Sequence, residues 1–286
     1  MFSLLPLEPV DYLVIGHLAH DLTPAGPRLG GTAAFSALTA RALGLRVGIV
    51  TAVGAETPLD ALEGIPVVSI PSEHSTTFEN IYRENRRTQI LHRRAAPIDF
   101  DQVPEAWRRA TIVHLGPIAG EVQPILPKGF STELLGLTVQ GWLRGWDAEA
   151  RVHPVRWEHA GEALNQASAV VLSAEDVGGD EEQIEEFVHA SRVLALTEGA
   201  AGARLYWHRD QRRFRAPPVE EADATGAGDI FAAAFFIRLY ATRDPWEAAR
   251  FATHLAAYST SRIGLDGIPS QQEIESCLVE VLHSKS

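Results

Sequence analysis

Residues 223–229 read Asp-Ala-Thr-Gly-Ala-Gly-Asp, and the apolar run Ile230 to Phe236 follows at once. Small residues let backbone amides close on an anion, and the run behind them reads as a helix whose N-terminus attracts negative charge. Gly226, Ala227 and Gly228 are therefore a candidate anion nest for a transferring phosphoryl group. Asp229 is a candidate general base beside it, able to accept the proton of an attacking hydroxyl. On these residues alone a second reading stands: the glycines end a strand and Asp229 caps the helix. The chain has no Gly-x-x-x-x-Gly-Lys-Ser/Thr and no Gly-x-Gly-x-x-Gly behind a strand, which removes P-loop and dinucleotide readings.

The elements that must position such a site alternate in type. Tyr12–Ile15 reads as a strand ending at Gly16, Ala33–Leu43 as a helix closed by Gly44, and Arg46–Thr51 as the next strand. Further strands are expected at Ile112–Leu115, Ala169–Leu172, Val193–Thr197 and Ala203–Trp207, with helices over Ile184–Ala190 and Pro245–Ser261. This predicts an α/β fold, a mostly parallel central sheet with helices on both faces. Residues 74–98 break the rhythm: Thr76–Tyr82 and Thr88–Arg93 read as two strands around the polar turn Arg83–Arg87. With no repeat and no linker, that hairpin reads as a flap on a single domain spanning residues 1–286. Phe231, Phe235, Phe236, Phe251, Leu255 and Tyr258 have the spacing of core faces. The flap arginines suit a charged edge that discourages strand aggregation, and Arg93 is the one to watch for closing over a substrate.

Composition narrows the function class. A chain of 286 residues with 45% hydrophobic content can bury a large core, and a formal charge of −12 disfavours a nucleic-acid partner. Cys277 is the only cysteine, so no internal disulfide forms, which fits a reducing, cytoplasmic setting. Met1–Val10 lacks the pattern of a secretory leader, and the apolar stretches are interrupted by Arg41, Arg46 and Arg238, so no membrane span is expected.

Four separate segments, in order, resemble the ribokinase-like, or PfkB, carbohydrate kinases. Asp223–Asp229 is similar to that family's C-terminal signature, and Leu29-Gly30-Gly31-Thr32-Ala33-Ala34 to its N-terminal glycine pair. Thr197-Glu198-Gly199-Ala200-Ala201-Gly202-Ala203 resembles its nucleotide-side turn, and Arg250 through Ala256-Ala257 to Arg262-Ile263-Gly264 the helix and loop that flank the adenine. The resemblance implies a sheet with a small β-lid, formed mainly by residues 74–98 and the segment 17–30, that binds ATP and Mg²⁺ and phosphorylates an alcohol. It gives Asp229 the role of catalytic base and Gly226, Ala227 and Gly228 that of anion hole. Asp21, Gly30, Gly31 and Phe35 become substrate contacts, and Thr197, Gly199, Gly202 and Ala256 nucleotide contacts. Asp21 can accept two hydroxyl hydrogen bonds from a polyol, or close an Asx-turn; the glycine pair equally suits a plain turn before a helix.

Departures from the family pattern bear on the substrate. Phe35 stands where many sugar kinases carry Asn, so the pocket differs from a ribose site. Ser173-Ala174-Glu175-Asp176 stands where the family often has Asn-x-x-Glu, leaving Glu175 or Asp176 to hold Mg²⁺ through water, or both as surface acidity. Short matches at Gly16-His17, His20-Asp21, Leu29-Gly30-Gly31 with Phe35, Thr76–Glu79 and Ala119-Gly120-Glu121 resemble plant-type inositol kinases. A cyclitol such as myo-inositol is then the leading acceptor, ahead of a furanose sugar or nucleoside, with a non-catalytic binding homologue as the alternative class. His17, His20 and His114 either contact hydroxyls or serve the structure. A monovalent cation beside the anion hole and a homodimer through the lid stay open.

Overall fold

A computed structural model describes residues 7–23, 26–83 and 86–278. Of the polar turn expected over Arg83–Arg87, residues 84–85 lie outside the described residues and Arg83, Arg86 and Arg87 belong to the strands on either side; the segment Met1–Val10 is described only from residue 7. The chain starts with strand β1 (Tyr12–Ile15), leaves the main sheet for β2 (Ala19–Thr23) and β3 (Gly26–Gly30), and enters helix α1 (Thr32–Ala42). β4 (Val47–Val53) and β5 (Val67–Pro71) return to the main sheet, and β6 (Thr76–Arg83) with β7 (Arg86–Arg93) forms the flap hairpin. β8 (Ile112–Leu115) and β9 (Leu134–Thr138) precede a short antiparallel pair, β10 (Arg144–Trp146) and β11 (Val152–Pro154). Then come α2 (Ala160–Gln166), β12 (Ala169–Ser173), α3 (Glu181–Ala190), β13 (Val193–Thr197), β14 (Ala203–Trp207) and β15 (Asp210–Phe214). α4 (Ala227–Thr242), α5 (Pro245–Ser259) and α6 (Gln271–Cys277) complete the described chain.

Among the described residues the main sheet has nine strands in the order β15-β14-β13-β12-β9-β8-β1-β4-β5. Every pairing from β5 to β13 is parallel, and β14 and β15 close one edge antiparallel. A parallel sheet covered on both faces must be apolar in both directions along each strand. β1 shows this: Tyr12 and Val14 join the core under α1, α4 and α5, while Leu13 and Ile15 join the opposite core with Trp107 and Phe187. α4 is buried from Ile230 through Ile237, apolar all round because α1, α5 and the sheet cover it. α5 begins at Pro245 because the Asp244 side chain accepts hydrogen bonds from the amides of Trp246 and Glu247.

The lid is a separate four-stranded sheet, β3-β2-β6-β7, in which β2 runs parallel to β6. The segment 17–30, expected in the lid, supplies β2 and β3. Ala19, Phe78 and Leu91 pack on Ile118 and Ala119 and seat this sheet on the main body. β1, β8, β13 and β14 lie where periodicity predicts them, and α5 stops at Ser259 rather than Ser261. β9 was not expected, although it lies at the sheet's centre. Gly136 in its middle weakens the strand pattern, yet a Cβ there would come 2.6 Å from ring carbons of Phe236 on α4.

Gly136→Ala should therefore push α4 off β9 and lower stability by about 1–3 kcal/mol, the usual penalty for overpacking a filled core. Urea unfolding measures this, and an unchanged midpoint would contradict the close seating of α4.

Candidate active site

The site forms where the N-terminus of α4 meets the N-terminus of α1. Gly226, at φ 81° and ψ −5°, turns the chain into α4 in a conformation that favours glycine, and no side chain caps the helix. Its Cα lies against the ring of Phe35, so any side chain at 226 would collide with that ring. The first amides of a helix have no intrahelical acceptor. Among the described residues no carbonyl accepts from the amides of Gly226, Gly228 or Asp229, whereas the Ala227 amide donates to the Ala224 carbonyl at 3.2 Å. The candidate anion hole is thus Gly226 and Gly228 with the amide of Asp229, and Ala227 is spent on the turn. The Gly228 Cα faces open space.

Asp229 is the third residue of α4, and its Oδ1 accepts a hydrogen bond from the Thr32 hydroxyl at 2.6 Å. The Ser36 hydroxyl donates to the Asp229 carbonyl at 3.4 Å. Burial pushes the Asp229 carboxyl up to about 6; the Thr32 bond and the charge of Arg144 pull it down, while Asp176 and Asp21 push it up. Asp21 on β2, Arg144 on β10 and Asp176 after β12 therefore surround Asp229 closely enough to act on its charge.

Asp21 projects over Gly30, where a Cβ would overlap its Oδ2. Gly31 takes φ 84° as the residue before α1, and a Cβ on it would sit 2.8 Å from the His17 carbonyl. Both glycines let the chain fold back tightly beside the Asp21 carboxylate. Phe35, expected among the substrate contacts, is 1% exposed and supports the Gly226 turn from beneath. It shapes the candidate anion hole from within the core and is too buried to offer an open face to a ligand.

Side chains alternate along a strand, so His20 and Asp21 lie on opposite faces of the lid. Asp21 pairs with Phe78 and Phe78 with Leu91, and the Arg144 guanidinium sits 5.5 Å from the Phe78 ring centre. This is the face turned to Asp229. His20, Thr77 and Arg93 share the other face and line a cavity of about 390 Å³ with Glu56 and His92. Arg93, watched as a residue that closes over substrate, is thus on the wrong side of the lid.

Of the metal candidates, Glu175 is exposed and Asp176 is turned inward. Asp176 accepts from the Ser173 amide at 2.9 Å and from Gln140 Nε2 at 3.2 Å; burial raises its pKa, and Arg144 opposes that rise. Among the described residues no three His, Cys, Asp or Glu side chains converge as a metal cage. A single carboxylate close to Asp229 would suit an ion held chiefly by phosphate oxygens and water.

Of the candidate nucleotide contacts, Thr197 ends β13, and Gly199 and Gly202 bracket the turn after it, where the Glu198 amide donates to the Gly202 carbonyl at 2.8 Å. Ala256 lies near the end of α5 and packs partly on the core. Asp223, assigned no separate role by the sequence, joins this region to the candidate anion hole: it accepts from the amides of Thr225 at 2.9 Å and Gly264 at 3.0 Å. Thr32 and Arg144 were missed as well. Thr32 directly follows the glycine pair, a usable signal, while Arg144 lies in a stretch with no pattern. The histidines at 17 and 114 are fully buried. His114 bonds Tyr12 at 2.8 Å and Thr138 at 3.0 Å, and burial pushes it down to about 3, so it stays neutral.

Residues 151–271 match the model of the pfkB family carbohydrate kinases. An inositol 3-kinase of Oryza sativa subsp. japonica is 28% identical over 282 residues, covering 91% of this chain and 70% of that protein. A cytidine kinase of Thermococcus kodakarensis is 26% identical over 262 residues, covering 79% of this chain and 87% of that protein. The same fold occurs in a solved structure described as a pyrophosphate-dependent kinase in the ribokinase family complexed with a pyrophosphate analog and myo-inositol. The TM-score is 0.75 at 21% identity, over 93% of this chain and 100% of that one. Among the described residues no helix is long and apolar enough to cross a membrane.

Because the Asp229 carboxyl in the folded chain titrates near 6, above the ordinary value, the native state holds its proton more tightly than the unfolded chain. That stabilisation is complete below about pH 4 and is lost as pH rises through about 6. Asp229→Asn should therefore exceed the wild type in stability by about 1–3 kcal/mol at pH 8, with the difference closing near pH 3. Urea unfolding across that range checks it; a pH-independent difference would mean that Asp229 is not shifted.

Proposed function

The chain belongs to the PfkB family of carbohydrate kinases, phosphotransferases that act on alcohols, and on that premise we propose that it moves the terminal phosphoryl group of ATP to a hydroxyl of a small polyol, with a cyclitol such as myo-inositol as acceptor. The observation that carries this reading is Asp229, a carboxylate raised to about 6 at a helix N-terminus, with Asp21 facing it from the lid.

In the proposed reaction Asp21 holds acceptor hydroxyls beneath the lid. As the acceptor oxygen bonds to phosphorus in line and the bond to the leaving phosphate breaks, the hydroxyl proton passes to the Asp229 carboxylate. The amides of Gly226, Gly228 and Asp229 face the charge on the phosphoryl oxygens, aided by the positive end of α4. Mg²⁺, bound mainly by the donor's phosphates, would neutralise their charge, and Asp176 is the side chain that would hold its water. Arg144 offers the opposing cation in the same cleft. Closure of the lid over the acceptor excludes water that would otherwise hydrolyse the donor. The inositol 3-kinase relatives favour a cyclitol, and the cytidine kinase relative keeps a nucleoside as the second reading.

The decisive assay pairs ATP or pyrophosphate with myo-inositol, ribose, fructose and cytidine and measures acceptor phosphorylation. ATP with myo-inositol is expected to turn over, and Asp229→Asn to lower kcat by roughly 10²–10⁴. Turnover with cytidine alone would replace the acceptor, and with pyrophosphate alone the donor. Undiminished activity of D229N would remove the base. Silence with every pair would leave a binding homologue.

A further inference from the structure

We propose that Thr32 is a positioning residue for the transfer: its hydroxyl fixes the Asp229 carboxylate through Oδ1, so that Oδ2 is the oxygen presented to the acceptor's proton. The proposal rests on the reading of Asp229 as the base.

The geometry makes this bond more than a surface contact. Thr32 is 1% exposed, and its hydroxyl lies 2.6 Å from Asp229 Oδ1, the short separation of a hydrogen bond to a charged acceptor. Thr32 is the first residue of α1, so its backbone is set by the Gly31 turn and by the helix that follows. A Cβ on Gly116 would come 2.5 Å from the Thr32 methyl, so the bare backbone beyond β8 is what gives that methyl its room. A β-branched side chain has few χ1 choices, and with the methyl seated against Gly116 the hydroxyl is aimed at Asp229. One helical turn further, Ser36 reaches the Asp229 carbonyl at 3.4 Å. α1 thus holds both the side chain and the backbone of the candidate base.

A carboxylate accepting one hydrogen bond from the protein keeps its second oxygen for the substrate. The bond also offsets the company Asp229 keeps. Asp21 from the lid and Asp176 from the loop after β12 disfavour its ionised form, Arg144 from β10 favours it, and Tyr12 on β1 is close enough to feel its charge. Burial of Tyr12 raises its pKa and keeps it neutral, so the phenol adds no competing charge. Thr32 is therefore the uncharged donor that keeps the base ionised near neutral pH.

Thr32→Val retains the shape and removes the donor; Thr32→Ser retains the donor and removes the methyl. T32V should lower kcat by about 10- to 100-fold, the loss of one hydrogen bond to a charged group, with the acceptor KM little changed. The acid limb of its pH–rate profile should move to higher pH, because the ionised base has lost a stabilising partner. Carbon-13 NMR of the Asp229 carboxyl should show the same upward displacement, and T32S should restore the wild-type limb and most of kcat. T32V with wild-type kcat and titration would overturn the proposal, as would T32V and T32S impaired alike with an unmoved limb, the signature of a purely structural role. D229N separates this from the underlying reading. An active D229N overturns the base assignment and this proposal with it, whereas an inactive D229N beside an unshifted T32V overturns this proposal alone.

Discussion

A carboxylate partly withdrawn from water at the start of a helix is the constraint around which this molecule is arranged. Such a group is tolerated when hydrogen bonds and a favourable dipole compensate its lost hydration. Asp229 has both, the N-terminus of α4 and the hydroxyl of Thr32. Meeting that demand brings two helix N-termini to one point, and the surrounding residues are correspondingly small. A Cβ on Gly16 would run into the Gly116 carbonyl, and one on Gly116 into the Thr32 methyl. The strands beneath the site thus end in bare backbone, which lets α1 descend onto them. Phe35 fills the space under the Gly226 turn.

The lid is held by another carboxylate, fully buried and with a structural task. Glu121 is 2% exposed and accepts from the amides of His17, Ile118 and Ala119. His17 in turn bonds Thr76 Oγ1 at 2.7 Å and the Ala96 carbonyl at 2.8 Å, and the Ala95 amide donates to the same Thr76 oxygen at 3.0 Å. Thr76 opens the lid hairpin and Ala95-Ala96 leaves it, so one polar cluster pins both stems beside the exit of β1. The face of the lid that carries Asp21 is thereby kept toward Asp229. The short Ala119-Gly120-Glu121 segment, noticed in the sequence for its resemblance, finds its physical role in this cluster.

Legibility followed the range of each interaction. Strands such as β1, β8 and β13 were readable because a sheet covered on both faces writes apolar runs into its own residues. The Gly-Ala-Gly-Asp turn was readable because helix starts and glycine turns are local events. β9 escaped because Gly136 serves Phe236, a residue 100 positions away in sequence and in contact only after folding. Arg144 escaped for the same reason: its place in the site comes from the Phe78 ring and the half-buried Asp176 and Asp229, none of them its chain neighbours. Ala227 and Phe35 were read by analogy of position. Which amide turns into the loop, and which ring faces the core, depends on contacts that the motif does not encode.

By itself the sequence determined the α/β order of elements, the lid as an excursion from it, and a carboxylate beside a glycine turn at the head of an apolar helix. These are short-range patterns of size, polarity and backbone freedom. Only the tertiary structure decided that Asp229 is gripped by Thr32, that Asp176 rather than Glu175 is turned into the cleft, and that Arg93 and Asp21 belong to opposite faces of the lid. Those outcomes depend on burial and on strand register, and both are set by residues far apart along the chain.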